Sequence, residues 1–268
     1  MTLRETAKPV NAKFGQLLRF WREAWELTQE DLAGLVGSSP RHISRMENAL
    51  VRASDQMVEK LALALNLRER DRDWFIYTAT KSVDRDPLEV VSAQPDWLTE
   101  TFEILTSAFG NNPAVVTDVA GRIQMTNPAW EAMIAPECNH VDTTPSINSF
   151  YEGMFDASES HPPAGWGRTR IGLLLSFRQS SIIRPENDMQ SLFESLFSKY
   201  DFPTDWARRA AGFDPRLRFP ITYPVNGRPT MFDTLSFGID EAGLASIREN
   251  AWKLYLLVPH PSDYLQSP

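Results

Sequence analysis

Between residues 14 and 48 the chain sets apolar, capping and turn residues in an order that leaves few folds open to it. Phe14, Leu17, Leu18, Trp21 and Trp25 recur at three- and four-residue spacing, which predicts an amphipathic helix. Thr28 follows as an N-cap, with Asp31 placed to complete a capping box and Leu32, Ala33, Leu35 and Val36 as the inward face of a second helix. Gly37 ends that helix, because glycine accepts the left-handed backbone of a tight turn. Ser39 as N-cap and Pro40 at the first helical position restart the chain at once. The third helix is expected to run to about Asn48. Ile43 and Met46 turn inward, which leaves Arg41, His42, Ser44 and Arg45 on its outer face or near its amino end. A fourth helix carries Met57, Val58, Leu61, Leu63, Ala64 and Leu65, and a fifth spans 69–80 with Trp74, Phe75 and Tyr77. The expectation for residues 1–80 is therefore an all-α, five-helix unit.

Two short helices joined by a tight turn, the second opening with basic and hydroxyl-bearing residues, have the geometry that enters a DNA major groove. Thr28-Gln29-Glu30-Asp31-Leu32-Ala33, then Gly37-Ser38-Ser39, then Ile43-Ser44-Arg45-Met46-Glu47-Asn48 resemble the helix-turn-helix of the XRE (phage Cro/repressor-like) family, over residues 13–67. That resemblance implies that Gln29 touches the DNA backbone. It also implies that the outer residues of the third helix, drawn from Ser39, Arg41, His42, Ser44 and Arg45, meet base edges or phosphates, and that Arg22 pairs with Glu47 in a structural role. The chain departs from the family after Glu47: where many members carry glycine and further basic residues it has Asn48-Ala49-Leu50, with Arg52 the one nearby cation. Backbone grip is then weaker than usual or carried mainly by Arg52. The competing reading is a protein-interaction adaptor whose charged faces are simply solvated; the turn, the cap and two arginines at i and i+4 favour DNA.

Charge confines this role to the first third of the 268 residues. Residues 1–80 hold twelve Lys/Arg and eleven Asp/Glu, whereas 81–268 hold fifteen and twenty-four, within an overall charge of −8. A chain this acidic is repelled by phosphate at long range, so a DNA surface must be local and is expected to act twice, in a homodimer on a palindromic operator. No apolar run, 171–175 included, approaches the roughly 20 residues of a membrane span, and residues 1–11 are too polar for a signal peptide, which predicts a cytoplasmic protein. The lone Cys138 and the scattered His42, His140, His161 and His260 predict neither an internal disulfide nor a metal site. No nucleophile elbow, phosphate loop, dinucleotide fingerprint or zinc-protease motif occurs, so no enzyme activity and no cofactor is expected. Gly165-Trp166-Gly167 reads as a loop, and Asp201, Asp205 and Asp214, beside prolines, read as caps and turns.

Residues 81–95 lack an amphipathic period and read as a linker; from residue 96 aromatics become dense. Trp97, Leu98, Phe102, Leu105, Ala108 and Phe109 fall at helical intervals, and strands over 114–118 and 123–126 flank a turn at Gly121. Asn127 caps a short helix with Pro128 at its first position and Trp130, Met133 and Ile134 inside. Buried helices are expected at 171–183 and 189–200. Strands follow at 219–225, 230–238 and 252–258, the first two joined at Asn226-Gly227. The pattern Asp118-x-x-Gly121-x-Ile123-x-x-x-Asn127, and five strands split around a helical insert, resemble a PAS sensor domain. With Asn127-Pro128-Ala129-Trp130 and Trp206-Ala207-Arg208-Arg209, the layout as a whole resembles the MmyB-like bacterial transcription regulators. The fold expected is thus an all-α helix-turn-helix domain followed, over 96–268, by an α+β PAS-like domain with a five-stranded antiparallel sheet. The resemblance implies a ligand-responsive regulator whose second domain accepts a small apolar molecule such as a fatty acid. Candidate cavity walls are Met125, Trp130, Met133, Phe150, Phe155, Phe177, Phe197, Phe232 and Leu235, with Arg178 or Arg170 placed to pair with a ligand carboxylate.

Overall fold

A computed structural model describes residues 12–80, 96–108, 110–118, 121–134, 149–183, 189–211, 218–225, 228–239 and 252–260. The expected linker, Cys138, His140, Asp214 and the Asn226-Gly227 turn lie outside these residues.

The amino-terminal helices are α1 (Ala12–Ala24), α2 (Gln29–Val36), α3 (Pro40–Glu47), α4 (Asp55–Ala64) and α5 (Glu69–Thr80). Thr28 and Asp31 close the capping box on α2, Gly37 takes the left-handed conformation at φ 64°, and Ser39 Oγ accepts the His42 N–H. Phe14, Leu17, Leu18, Trp21, Leu32, Ile43, Met46, Leu61 and Phe75 form the core. Two apolar residues depart from the sequence pattern. Leu35, expected inward, is 60% exposed, and Leu63 is 69% exposed. At about 100° per residue Leu35 falls roughly 110° from the centre of the Leu32–Ala33–Val36 stripe, outside the arc that a helix this short can bury.

Glycine does not announce the other helix ends. Glu26, Ala49 and Asn66 take positive φ, 55°, 54° and 47°, after α1, α3 and α4. In each case the next residue, Leu27, Leu50 or Leu67, donates its N–H back to a carbonyl five positions earlier. These are Schellman closures, and the left-handed non-glycine residue in each costs about 1–2 kcal/mol against the carbonyls it satisfies.

The later part of the chain contains α6 (Asp96–Ala108), β1 (Ala114–Asp118), β2 (Ile123–Thr126), α7 (Pro128–Ile134), α8 (Ser149–Ser160), α9 (Trp166–Ile183), α10 (Met189–Lys199), α11 (Trp206–Ala211), β3 (Arg218–Val225), β4 (Arg228–Ile239) and β5 (Trp252–Pro259). The strands form one antiparallel sheet in the order β2-β1-β5-β4-β3, as the sequence predicted of their number and direction. Alternation sorts their side chains onto two faces. One packs Ala114, Val116, Trp252, Leu254 and Leu256 against Leu98 and Phe102 of α6. The other carries Tyr223 and Tyr255 into an aromatic cluster with Trp130, Phe150 and Tyr151, in which Phe150 stacks on Tyr255 at 4.5 Å and Tyr151 and Tyr255 share a hydroxyl hydrogen bond of 2.7 Å. Burial pushes the Tyr255 hydroxyl well above its ordinary pKa, so it stays neutral there. Asn127 ties strand to helix: its Oδ1 accepts the N–H of Ala114 and of Trp130, both at 2.9 Å. At the β3 edge, where Pro220 interrupts pairing capacity, Ser158 Oγ of α8 accepts the Thr222 N–H and donates to the Thr222 carbonyl.

The sequence reading misses α8 and α11 and misreads one segment. Trp166 and Gly167, expected in a loop, open α9; Gly165, at φ 82°, makes the turn before it. The indole of Trp166 donates to Glu159 and packs on Phe155, anchoring a stretch whose glycines alone suggest irregular chain. Asp205, read as a cap or turn residue, does precede α11 and accepts from Arg209 and Arg208; the bond from Arg209 holds its carboxyl below the usual range.

The chain divides into two compact units that interleave along the sequence. One comprises Met1–Asp86, Leu174–Glu186 and Asp201–Asp214, the other Pro87–Leu173, Asn187–Tyr200 and Pro215–Pro268.

Candidate nucleic-acid interface

Ser39 and Pro40 launch α3 directly from the Gly37 turn, and its eight residues separate sharply by side. Ile43, Met46 and Glu47 are buried. Arg41 and Arg45, one turn apart on the opposite side, are exposed, and their guanidinium groups have no hydrogen-bond or ion-pair partner among the described residues. Ser44 is half-buried beside them, His42 lies half-buried on the flank, and Asn48 caps the end. An α-helix that shows two unengaged guanidinium groups at i and i+4 presents forked donors suited to guanine edges and to phosphates.

What holds this face out is a carboxylate on the other side. The Glu47 side chain is 0% exposed, yet donors reach it from two helices. Arg22 Nε of α1 donates to Oε1 at 2.6 Å, and Arg22 Nη2 and Gln29 Nε2 donate to Oε2 at 3.2 and 2.8 Å. Arg19 Nε stands 3.6 Å from Oε2. The hydrogen bond to Glu47 raises the Arg22 pKa above its ordinary value in spite of burial. A buried charge with this many donors is tolerable; with its partner removed it would be strongly destabilising. Arg22 also gives Nη1 to the Leu27 carbonyl at 2.8 Å, so one guanidinium joins the end of α1 to the last turn of α3.

Glycine is required at one point of this joint. A Cβ on Gly15 would lie 2.6 Å from the Glu47 carbonyl oxygen and 2.7 Å from that of Met46, so α1 approaches α3 along bare backbone.

The expected contact residues are only partly available as drawn from the resemblance. Arg22 does pair with Glu47. Gln29, implied as a DNA-backbone contact, spends its side-chain amide on Glu47. Arg52 is exposed, but its Nη2 donates to the Thr80 carbonyl at 3.0 Å at the end of α5. Ser39 uses its hydroxyl as the cap of α3. Two further residues belong to the joint. Arg19 donates Nη2 to Asn48 Oδ1 at 2.9 Å, and Asn48 Nδ2 returns to the Ser44 carbonyl at 2.7 Å. Arg19 was findable, since it lies three residues before Arg22 and hence on the same side of α1. Gly15 carried no such signal.

The cavity candidates do not assemble into one wall. Met125 and Leu235 pack on the α6 side of the sheet. Trp130 and Phe150 sit in the aromatic cluster on the opposite face, with ring centroids 5.9 Å apart, and the pairing of Phe232 with Ile221 puts it on that same face. Met133 and Phe155 are buried on α7 and α8. Phe197 is a surface residue, 43% exposed and stacked on Phe193. Phe177, buried, and Arg178, half-buried, belong to the stretch Leu174–Glu186 that groups with the amino-terminal helices. Arg170 is paired with Glu159 at 2.8 Å. Met125 and Leu235 thus stand on one face of the sheet and Trp130, Phe150 and Phe232 on the other, a separation set by strand alternation that residue type does not reveal.

A capped two-helix turn with an outward cationic second helix defines a helix-turn-helix of the DNA-binding class. Residues 13–75 match the helix-turn-helix domain family, which supports reading the chain as a DNA-binding regulator. No curated protein matches the chain. Among the described residues no helix is long and apolar enough to cross a membrane.

Proposed function

We propose that the protein is a sequence-specific, ligand-responsive transcription regulator of the MmyB-like type, cytoplasmic and without enzymatic activity, that acts as a homodimer. The observation that carries this reading is the pair Arg41 and Arg45, exposed and unengaged on a helix whose other side is anchored by the buried Glu47. Each protomer lays α3 in a major groove, with half-sites of a palindromic operator about 34 Å apart or a multiple of that. Ser44 and His42 flank the reading residues, and the amino ends of α2 and α3, at Gln29 and Ser39, and the guanidinium of Arg52 face phosphate.

The strand order β2-β1-β5-β4-β3 supports a PAS-like second domain. Within it the effector reading retains Trp130, Met133, Phe150, Phe155 and Phe232, and a small apolar molecule such as a fatty acid suits such walls. An effector shifts operator affinity by the difference in its binding to the two dimer arrangements.

Arg41→Ala or Arg45→Ala should weaken binding to the selected duplex by about 1–3 kcal/mol and relax base preference, whereas Arg52→Ala should weaken all sequences alike and lower the salt slope. Gel-shift titrations at several salt concentrations check this. Equal affinity across all three variants, or no salt-dependent retention of the wild type on random duplex, would favour a protein-interaction adaptor instead.

A further inference from the structure

The five amino-terminal helices are not a self-contained unit: Leu174–Glu186 and Asp201–Asp214 group with them. Described residues of these distant segments meet the helices. The ring of Trp206, at the start of α11, lies 6.5 Å from that of Phe20 on α1. Arg208 Nη1 pairs with Glu26 Oε2 at 3.1 Å. Gln179 Nε2 of α9 donates to Oδ1 of the buried Asp71, in the first turn of α5, at 3.2 Å.

Glu26 is the residue that gives this contact reach. It occupies the left-handed position that ends α1, at φ 55°, a conformation a glutamate holds only when its surroundings impose it. Its neighbour Leu27 returns its N–H to the Arg22 carbonyl and offers its own carbonyl to Arg22 Nη1. Arg22 then holds Glu47, and Glu47 lies in the last turn of α3. Phe20 and Arg22 project about 160° apart around α1, so α11 grips the side of α1 away from α3 and reaches α3 through this turn. An exposed ion pair contributes little by itself, and Arg208 and Glu26 are both largely exposed; the packing of Trp206 on Phe20 has to supply most of the grip.

We propose that Trp206 and Arg208 are positioning residues of the DNA-binding unit. By holding the left-handed turn at Glu26 they fix the Leu27 carbonyl, and through Arg22 and Glu47 they set the pose of α3. The consequence for DNA affinity rests on the function proposed above; the mechanical coupling does not.

The experiment uses the full-length chain and four variants: Trp206→Ala, Arg208→Glu, Glu26→Arg and the double charge swap Arg208→Glu/Glu26→Arg. Amide hydrogen exchange is followed at Leu27 and at Ile43–Glu47, with amides of β4 and β5 as the internal measure of intact fold. Binding is measured to the duplex that the wild type selects from a randomised pool. Trp206→Ala should speed exchange at Leu27 and in α3 by about ten-fold, leave the sheet amides unchanged, and weaken duplex binding by about ten-fold with no change in salt slope, because no phosphate contact is lost. Arg208→Glu should do the same to a smaller degree, and the charge swap should restore both readouts. Unchanged exchange in α3 of Trp206→Ala, or a swap that fails to restore Arg208→Glu, overturns the proposal. If Trp206→Ala loses protection in the sheet as well, the charge-swap comparison decides. If the wild type selects no duplex, the DNA reading fails and the exchange data alone judge the coupling.

Discussion

The helix-turn-helix and the sheet-bearing part of this chain bury their polar groups in opposite styles. Around α3 a single carboxylate, Glu47, is wholly enclosed and held by Arg22 and Gln29, and the charge so anchored leaves Arg41 and Arg45 facing outward. On the sheet face opposite α6 the enclosed groups are neutral and aromatic: Trp130, Phe150, Tyr223 and Tyr255 lie ring against ring. The first style fixes one geometry at a high cost for any missing partner; the second relies on volume and shape.

The sharpest way to break this comparison is to delete one member from each side. Glu47→Ala should leave Arg22 largely buried without its counter-charge and cost about 3–5 kcal/mol, while replacing both, as Arg22→Met/Glu47→Leu, should recover most of that loss. Phe150→Ala should cost a similar 3–5 kcal/mol through the cavity it opens, and no second substitution of opposite charge can rescue it. Urea unfolding of the full chain, with separate probes for the two units, measures both. If the Arg22→Met/Glu47→Leu variant is no more stable than Glu47→Ala, the carboxylate is not the anchor of α3.

The next effect isolates backbone approach from charge. Gly15→Ala gains the usual helix preference of alanine, roughly 1 kcal/mol, but drives a methyl group into the Glu47 and Met46 carbonyl oxygens. The clash should win, for a net loss of about 1–3 kcal/mol and faster amide exchange in α3. A variant as stable as wild type would mean that α1 and α3 can separate at that point without harm.

How much of this was readable beforehand divides along the same line. In the first eighty residues, Thr28, Gly37, Ser39 and Pro40 each act within a few positions of themselves, and the cap, turn and helix start they predict are all present. The outward placement of Arg41 and Arg45 follows from the positions of Ile43 and Met46 one helical step away. Leu35 fails because a two-turn helix exposes more of its circumference than its pattern admits. In the sheet region the strands, their Asn127 hinge and their direction were legible, since alternation and turn residues are also local. The cavity was not. Whether Met125 shares a wall with Trp130 depends on strand parity and register, and whether Phe177 belongs to the sheet at all depends on which unit α9 joins at each end. Helix α8 escaped because Phe150 finds its stacking partner, Tyr255, across the fold rather than along the chain.

Acid should act on the local devices first. The hydrogen bonds from Thr28 hold the Asp31 carboxyl below its ordinary range, so the carboxylate half of the capping box contributes fully above that range and is lost as pH falls through the lowered value. Thr28→Ala should cost about 1 kcal/mol near neutral pH. The gap between wild type and variant should narrow as the carboxyl is protonated. A gap independent of pH down to the acid transition would show that the hydroxyl alone, and not its exchange with Asp31, makes the cap.

The smallest expected effect is also the one that tests the division of the aromatic residues most directly. Phe197 and Phe150 are the same residue type, each at helical spacing among other large apolar side chains, and nothing in sequence separates them. The fold does. Phe150 is 0% exposed against Tyr255, whereas Phe197 lies on the open side of α10, its ring against Phe193 and 43% accessible. Substitution at such a site removes little buried area and should change stability by no more than about 0.5 kcal/mol. Phe197→Ser should therefore be close to silent in urea unfolding, where Phe150→Ala should cost about 3–5 kcal/mol. A loss from Phe197→Ser comparable to that from Phe150→Ala would require this ring to be covered by something in solution, and would return it to the set of residues that an effector or a second protomer touches.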